Sequence, residues 1–381
     1  MVRVSAVVAL VSTLLVLPTG VAEATAGETQ IAAGAYHTCA LTVSGAADCW
    51  GTGNYGEADD QLGPYTQITA GDYHTCALTP AGAADCWGKN TAGQATGQPG
   101  PYIQISAFGE ATCALTPSGA VDCWGSNAYG QGADKPGPYT QISAGWAHTC
   151  ALKPSGAADC WGDNTYGQAA NQPGPYTQIA AGWRHTCALK PSGAVDCWGS
   201  NLYYQATDQD GPLAQVSSAW THTCALTPAG ANQCWGSNAD GRSDTQSGSF
   251  AQITAGGDHT CALTPSGAAD CWGSNAFGQA TDQAGPYRSV VTTQATMKAP
   301  ARVRSGARAR IKGELTSLDA TCASLQRVVL KAGARKVGSK LTSTSGSFRF
   351  AVKIFKTTKL SVIFKGTLAC KKSSASRTVR T

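Results

Sequence analysis

The sequence predicts an all-β protein: a seven-bladed β-propeller of 37-residue repeats followed by a small immunoglobulin-like β-sandwich. Two observations carry this prediction. The charge changes sign along the chain, from a net −14 over residues 25–287 to a net +19 over residues 288–381, which indicates two domains. Equivalent glutamines also recur every 37 residues without insertion, and a fixed period of this size indicates a repeat architecture. They are Gln30, Gln67, Gln104, Gln141, Gln178, Gln215 and Gln252.

Each repeat contains three stretches of strand length. In the fifth repeat these are Thr177–Ala181, His185–Leu189 and Ala194–Gly199, each bounded by Gly, Pro, Asn or Ser. No stretch of the repeat has a 3.6-residue apolar stripe of helical length, which favours strands throughout. Three strands cannot bury both of their faces alone, so we expect neighbouring repeats to stack radially as the blades of a propeller.

The two ends of the repeat region are expected to meet in one blade. Residues 286–291 repeat the first-strand pattern "PYTQI" after the seventh unit, and residues 28–31 supply it before the first. We therefore predict a propeller over 27–291, a linker over 292–302 and a basic β-sandwich over 303–381.

Paired cysteines ten positions apart are predicted to join two strands of each repeat. Lys190–Gly193 suits a type I turn with a bulged three-residue hairpin, and counting outward from it places Cys187 opposite Cys197. That pair falls at a non-hydrogen-bonded position, where the Cα atoms are close enough for a disulfide. A zinc site formed by His185, Cys187 and Cys197 is the alternative interpretation. The same arithmetic predicts the bridges Cys39–Cys49, Cys76–Cys86, Cys113–Cys123, Cys150–Cys160, Cys224–Cys234 and Cys261–Cys271.

The N-terminus is typical of a secretory signal peptide over residues 1–24. An uncharged run from Val4 to Leu17 precedes the small-residue pattern Ala22-Glu23-Ala24. No later segment has the roughly 18 to 20 consecutive apolar residues needed to cross a bilayer. We therefore expect a monomer that is secreted or associated with the cell envelope, a setting in which disulfides form readily.

The unit "AGxxHTCALxxxGxxxCWGxNxxGQ" resembles the regulator of chromosome condensation repeat family, whose members form seven-bladed propellers. The short period and the predicted export are more similar to the secreted propeller-type β-lactamase inhibitory proteins than to the nuclear exchange factors. The resemblance implies binding of a target through aromatic loops on one propeller face. It does not imply exchange activity, because the repeats carry no wedge-like insertion.

Histidine and tryptophan recur at fixed framework positions, which indicates structural roles. Histidine occupies one position in six repeats, and Ala111 replaces it in the third. Tryptophan of the "CWG" step recurs in all seven repeats, and we expect it to pack between blades. The framework residues are His37, His74, His148, His185, His222, His259, Trp50, Trp87, Trp124, Trp161, Trp198, Trp235 and Trp272.

Positions that vary between repeats are the candidate binding residues. One set lies just before the histidine, in the loop between the first and second strands, and a second set follows the "CWG" step. By symmetry both sets should ring the same end of the disc. Exposed aromatic residues beside an arginine are typical of binding hot spots. The first set is Tyr36, Tyr73, Trp146, Trp183, Arg184 and Trp220, and the second is Tyr55, Tyr129, Tyr166, Tyr203 and Phe277.

These positions support a non-enzymatic protein-binding function, as an inhibitor or a scaffold for an unknown protein target. A lectin-like role, with Trp146, Trp183 and Trp220 stacked on cell-wall sugars, is the alternative. In a third interpretation the aromatic residues only cap the blade ends or pack on one another. No nucleophile elbow, phosphate-binding loop or metal signature is present, so we predict no catalytic residue, cofactor or metal. Asp59-Asp60 and Asp208–Asp210 lack the spacing of a known calcium loop.

The basic C-terminal region shows short alternating runs such as Ser347–Val352 and Leu360–Phe364, typical of a β-sandwich. Cys322 and Cys370 are expected to bridge its sheets. A strongly cationic module outside the cell is expected to bind anionic envelope polymers, and nucleic acid only unspecifically. Two alternatives are a merely solvated basic surface and a module that folds back on the acidic propeller.

Overall fold

A computed structural model describes residues 31–285, Tyr287 and the strands that follow between residues 293 and 379. The predicted signal peptide over 1–24, the predicted first-strand residues Glu28–Gln30 and the predicted Cys322–Cys370 bridge lie outside the described residues. No helix long and apolar enough to cross a membrane occurs in the part of the chain that the structure describes.

Residues 31–273 form seven three-stranded antiparallel sheets, each with its strands in sequence order. The first strands are Ile31–Ala33, Gln67–Ala70, Gln104–Phe108, Gln141–Ala144, Gln178–Ala181, Gln215–Ser218 and Gln252–Ala255. The second strands are His37–Leu41, His74–Leu78, Ala111–Leu115, His148–Leu152, His185–Leu189, His222–Leu226 and His259–Leu263. The third strands are Ala47–Gly51, Ala84–Gly88, Val121–Gly125, Ala158–Gly162, Val195–Gly199, Asn232–Gly236 and Ala269–Gly273, and a short 3₁₀ turn covers Ala239–Gly241.

The register within each unit confirms the predicted pairing of the cysteines. Leu189 lies opposite Val195, Ala188 opposite Asp196, and Cys187 opposite Cys197. All seven predicted cysteine pairs are disulfides, with a Cα–Cα distance of 4.1 Å in each. The zinc interpretation fails for this reason, since the two sulfur atoms bond to each other.

Removing one bridge should weaken the fold without destroying it. The Cys187→Ala/Cys197→Ala variant is expected to lose about 1 to 3 kcal/mol of unfolding free energy, because the chain-entropy model gives roughly 3 kcal/mol for a loop of this size and the hairpin is already local. Urea unfolding of the variant beside the oxidised parent measures this. An unchanged midpoint would contradict it.

Six of the seven junctions between units carry a hydrogen bond from one second strand to the next, and the third unit, with Ala111, joins the fourth instead through Ile142 N–H and Gln104 Oε1 at 2.9 Å. His37 Nε2 lies 2.8 Å from Thr75 Oγ1 of the following unit, and four further histidines repeat this contact at 2.8 to 2.9 Å. His259 of the seventh unit makes the same contact with Thr38 of the first, at 2.7 Å. The order of contacts is therefore circular, as in a propeller.

Tyr287, at the C-terminal end of the repeat region, packs against the first unit. In the second to fifth units a tyrosine before the first strand packs on the "CWG" tryptophan, as Tyr65 does on Trp87 at 6.1 Å. In the first unit Tyr287 takes this place, with its ring 5.9 Å from Trp50 and its hydroxyl 2.6 Å from Asp48. The two ends of the repeat region thus meet in the first unit, as predicted.

The core lies between neighbouring units and is built from small residues and one branched aliphatic residue in each first and second strand. Cys113, Leu115 and Val121 of the third unit pack with Ile142 and Trp161 of the fourth. Five of the framework tryptophans also donate an indole hydrogen bond of 3.1 Å to a carbonyl of the preceding unit. The predicted packing role of these tryptophans agrees with both contacts.

The C-terminal region contains two antiparallel sheets. One orders Thr293–Lys298, Ala307–Ser317 and Ser347–Ile354, and the other orders Arg335–Leu341, Arg327–Ala332, Thr358–Phe364 and Ser373–Val379. The strand Thr293–Lys298 corrects the predicted linker over 292–302, because this segment pairs with Lys312–Ser317 and so belongs to the sheet.

Candidate binding face

Two loops of each unit meet at one end of the ring, which we call the aromatic face. The first loop joins the first and second strands, and the second follows the third strand. A backbone hydrogen bond joins them in every unit, from Thr52 to Tyr36 at 3.0 Å in the first and from Ser200 to Arg184 at 2.8 Å in the fifth. Both predicted sets of variable residues therefore lie at the same end.

The two sets differ in exposure. The second-loop residues Tyr55, Tyr129, Tyr166, Tyr203 and Phe277 are exposed, at 46 to 54%. The first-loop residues are less exposed than these, and every one of them is half-buried. They are Tyr36, Tyr73, Trp146, Trp183, Arg184 and Trp220. This corrects the expectation of three exposed indoles, since the three tryptophans pack against other residues of the face.

Trp220 crosses the centre of the ring. It belongs to the sixth unit, yet its ring meets Tyr36 of the first unit edge-on at 5.6 Å, and its indole donates a hydrogen bond to Asp72 of the second. Trp220 and Asp72, together with Phe108 and Gly71, line a small central void. The indole therefore links the sixth unit to the first and second units across this void.

Asp72 is a buried carboxylate at this central position. Burial raises its pKa to about 6, and the nearby Glu110 carboxylate adds to the rise, whereas hydrogen bonds from Gly109 and Trp220 oppose it. Burial also raises the pKa of Tyr36, to about 12, and the neighbouring Tyr73 hydroxyl adds to this rise.

Tyr36 is the centre of one aromatic cluster on the face. Its ring lies 5.6 Å from Tyr73 and 5.5 Å from Phe277, and Tyr73 in turn meets Tyr55 at 5.7 Å. These edge-on and tilted arrangements are the favourable ones for aromatic pairs. The cluster fixes the orientation of the exposed rings of Tyr55 and Phe277.

A second cluster runs from the third to the fifth unit. Tyr129 packs on Trp146 at 6.2 Å, and Trp146 meets Trp183 edge-on at 6.3 Å. The Arg184 guanidinium lies 4.1 Å from the Trp183 ring centre and 4.9 Å from that of Tyr166, and it donates a 3.0 Å hydrogen bond to the Tyr166 hydroxyl. The predicted aromatic and arginine residues of these units are therefore brought together.

The other cations of the face, Lys89 and Arg242, are paired with carboxylates. Lys89 binds Glu110 at 2.6 Å, which raises the pKa of the lysine. Arg242 pairs with Asp240 at 3.1 Å and with Asp258. Within residues 31–285, Arg184 is the one cation of the face that forms no salt bridge.

Leu202 and Tyr204 are two further exposed residues of the face, outside both predicted sets. They flank Tyr203 in the second loop of the fifth unit and are 77% and 75% exposed. The signal was present in the sequence, since Tyr204 stands where the other six units have glycine.

Asp60 and Asp208, considered above as calcium ligands, lie away from the face, where each accepts a backbone hydrogen bond from a third-strand cysteine, at 2.9 and 2.8 Å. No group of three or more potential metal-ligating side chains of His, Cys, Asp or Glu occurs among the described residues.

The sequence model for the regulator of chromosome condensation repeat matches six segments, 29–57, 65–94, 102–131, 139–168, 176–205 and 250–279. The chain belongs to this repeat family. The sixth unit, which the matches omit, has the same three strands and its own disulfide, Cys224–Cys234. Family membership supports a propeller-like arrangement and a role in protein interaction.

Other comparisons add little to this family assignment. No curated protein matches the chain. A solved structure of the sulfur carrier protein SoxY from Chlorobium limicola f thiosulfatophilum is 17% identical, covering 24% of this chain and 82% of its own, with a TM-score of 0.20. A conjugative transposon lipoprotein from Bacteroides eggerthii is 11% identical, covering 24% and 97%, with a TM-score of 0.19. Neither similarity bears on fold or function.

Proposed function

We propose that this chain is a secreted, non-enzymatic binding protein whose seven-bladed propeller holds another protein on its aromatic face. The observation that carries the proposal is the set of five exposed aromatic residues, one from each of five units, at one end of the ring. Clusters of tryptophan, tyrosine and arginine with a rigid backing are typical of binding hot spots.

The ring and the disulfides support the remaining parts of this proposal. Circular contacts between the units support a closed propeller, and seven disulfides support an oxidising compartment outside the cytosol. The C-terminal module, with its excess of Lys and Arg, would attach the protein to anionic polymers of the cell envelope.

A lectin-like function is the second candidate. Exposed aromatic rings also stack on sugars, and the row Tyr129, Tyr166 and Tyr203 repeats in three successive units. Half-burial of Trp146, Trp183 and Trp220 weakens this candidate, because it was their indoles that were expected to stack on the sugar rings.

A face variant tests the protein-binding function. Tyr129→Ala/Tyr166→Ala/Phe277→Ala should weaken binding of a protein partner at least about tenfold, because truncating a few hot-spot residues removes most of an interface's affinity. Immobilised full-length chains are incubated with secreted and envelope fractions of the producing cell, and the affinity of each retained protein is then measured.

The control truncates exposed apolar residues at the opposite end of the ring, as Val43→Ala/Leu62→Ala/Ile103→Ala. The proposed function predicts partners retained by the parent and the control but not by the face variant, with no effect of free saccharide. Partners retained equally by all three chains would refute the aromatic face as the binding site. Release by free saccharide would favour the lectin.

A further inference from the structure

The second loop of the fifth unit carries an apolar surface that no other unit has. Leu202 stands where the other units have Asn54, Thr91, Ala128, Thr165, Ala239 and Ala276. Tyr204 stands where they have Gly56, Gly93, Gly130, Gly167, Gly241 and Gly278. Both side chains are at least 75% exposed, so the core does not require them.

The backbone at Tyr204 is held in a conformation that suits glycine. Its φ is +65°, and the six equivalent glycines have φ between +78° and +87°. A side chain in this left-handed region is strained, and such strain is concentrated at functional sites. Because the tyrosine ring is exposed, no packing gain in the fold offsets the strain.

The backbone of Arg184 contacts this loop. Its carbonyl accepts the hydrogen bond from Ser200, two residues before Leu202. Its guanidinium is held over the rings of Trp183 and Tyr166, which restrict its motion, and it lacks the carboxylate partner that Lys89 and Arg242 have. A planar guanidinium of this kind is suited to bidentate recognition of a carboxylate.

We infer that Arg184, Leu202 and Tyr204 form a docking subsite for a polypeptide loop that presents one carboxylate next to a large apolar side chain. This inference rests on the proposed protein-binding function and specifies the partner's chemistry. The apolar side chain packs on Leu202 and Tyr204 while the carboxylate binds Arg184. The net −14 charge of the repeat region disfavours a polyanion, so a single acidic group in an apolar loop fits better than an acidic tail.

A library of disulfide-constrained random 12-residue peptides, displayed on phage and selected on the immobilised full-length chain, tests the subsite. Selected peptides should be enriched in Asp or Glu next to Leu, Phe, Tyr or Trp. Tyr204→Gly, Leu202→Ala and Arg184→Gln should each weaken binding of the best synthetic peptide at least about tenfold. The parent should prefer the peptide's carboxylate over its amide analogue, and Arg184→Gln should abolish this preference.

Two controls separate binding from folding. Tyr204→Gly should leave the melting temperature unchanged or raise it, since glycine relieves the strain, whereas a structural role for Tyr204 would lower it. Gly130→Tyr, added to Tyr204→Gly, moves the tyrosine to the third unit, where a Cβ meets nothing within 4 Å. It should not restore binding.

The outcomes distinguish this inference from the proposed function. Peptides that bind through Tyr129 and Phe277 but tolerate Tyr204→Gly and Arg184→Gln would overturn the subsite and leave the aromatic face intact. Enrichment without acidic residues would also overturn it. Failure of the parent to enrich any peptide over the Tyr129→Ala/Tyr166→Ala/Phe277→Ala variant would contradict both proposals.

Discussion

Lowering the pH from 7 to 5 should reduce the free energy of unfolding by an amount of order 10 kcal/mol, the largest effect expected for this protein. Six histidines with no side-chain exposure to solvent cause it. Burial lowers the pKa of His37 and His148 to about 4 and that of His74, His185 and His259 to about 3. It also places the pKa of His222 well below its usual value.

The hydrogen bonds explain why these imidazoles resist protonation. Each partner threonine donates its own hydroxyl proton to a backbone carbonyl, as Thr75 does to Glu57 at 2.8 Å. The threonine oxygen must therefore accept from the histidine, which places the imidazole proton on Nε2. The other nitrogen, Nδ1, is buried without a hydrogen-bond partner in all six residues. Protonating Nδ1 would bury an unpaired charge, which is strongly unfavourable.

The sign of the pH effect follows from the lowered pKa values. Above pH 6.5 the histidines are neutral in both the folded and the unfolded chain. Between pH 6.5 and about 4 the unfolded chain binds protons that the folded chain does not, so stability falls as pH falls. At pH 5 this costs about 2 kcal/mol per histidine. Asp72 acts in the opposite direction, because its raised pKa restores about 1 kcal/mol over the same range.

Urea unfolding at several pH values between 7 and 5 measures the effect. The matched variant is His148→Gln, whose amide can still donate to Thr186. It should remove about one sixth of the pH dependence. A free energy of unfolding that is the same at pH 7 and pH 5 would show that these histidines do not resist protonation in the folded chain.

The interior of the repeat was predictable from sequence because it is set by local geometry. A four-residue turn determines the strand register, and the register determines that Cys187 meets Cys197. The same holds for the end of the repeat region, where Tyr287 carries the pattern of Tyr65 and takes its place on a tryptophan. Each of these contacts depends on a motif that the chain repeats.

The orientation of side chains on the face was less predictable, because it depends on contacts between distant units. Symmetry suggested equal exposure for Trp146, Trp183 and Trp220, yet Trp220 turns across the axis to Asp72. The third unit departs from the repeat at two positions, Phe108 and Ala111, and the structure explains them only when they are considered together. A Cβ at Gly34 would lie 2.5 Å from the His37 ring, so Phe108 is tolerated at the equivalent position only where Ala111 replaces the histidine.

The Trp220→Ala variant should lose about 3 kcal/mol of unfolding free energy at pH 7 and less at pH 5. Truncation removes the edge-on contact with Tyr36 and leaves a cavity at the centre of the ring. It also removes the indole hydrogen bond that lowers the pKa of Asp72, so this pKa should rise further above 6. At neutral pH the ionised Asp72 carboxylate then lacks this hydrogen-bond donor, which lowers the free energy of unfolding. At pH 5 the carboxyl group is protonated, so the loss of the donor costs less.

Unfolding measured at both pH values separates the lost packing from the lost hydrogen bond. Trp146→Ala is the matched control, because this indole packs on Tyr129 and Trp183. The variant's loss of unfolding free energy should be the same at both pH values. A double-mutant cycle with Asp72→Asn should show coupling of at least about 0.5 kcal/mol at pH 7. A pH-independent loss for Trp220→Ala, or no coupling to Asp72, would mean that the indole acts only as a space-filling ring and that the carboxylate is stabilised by other groups.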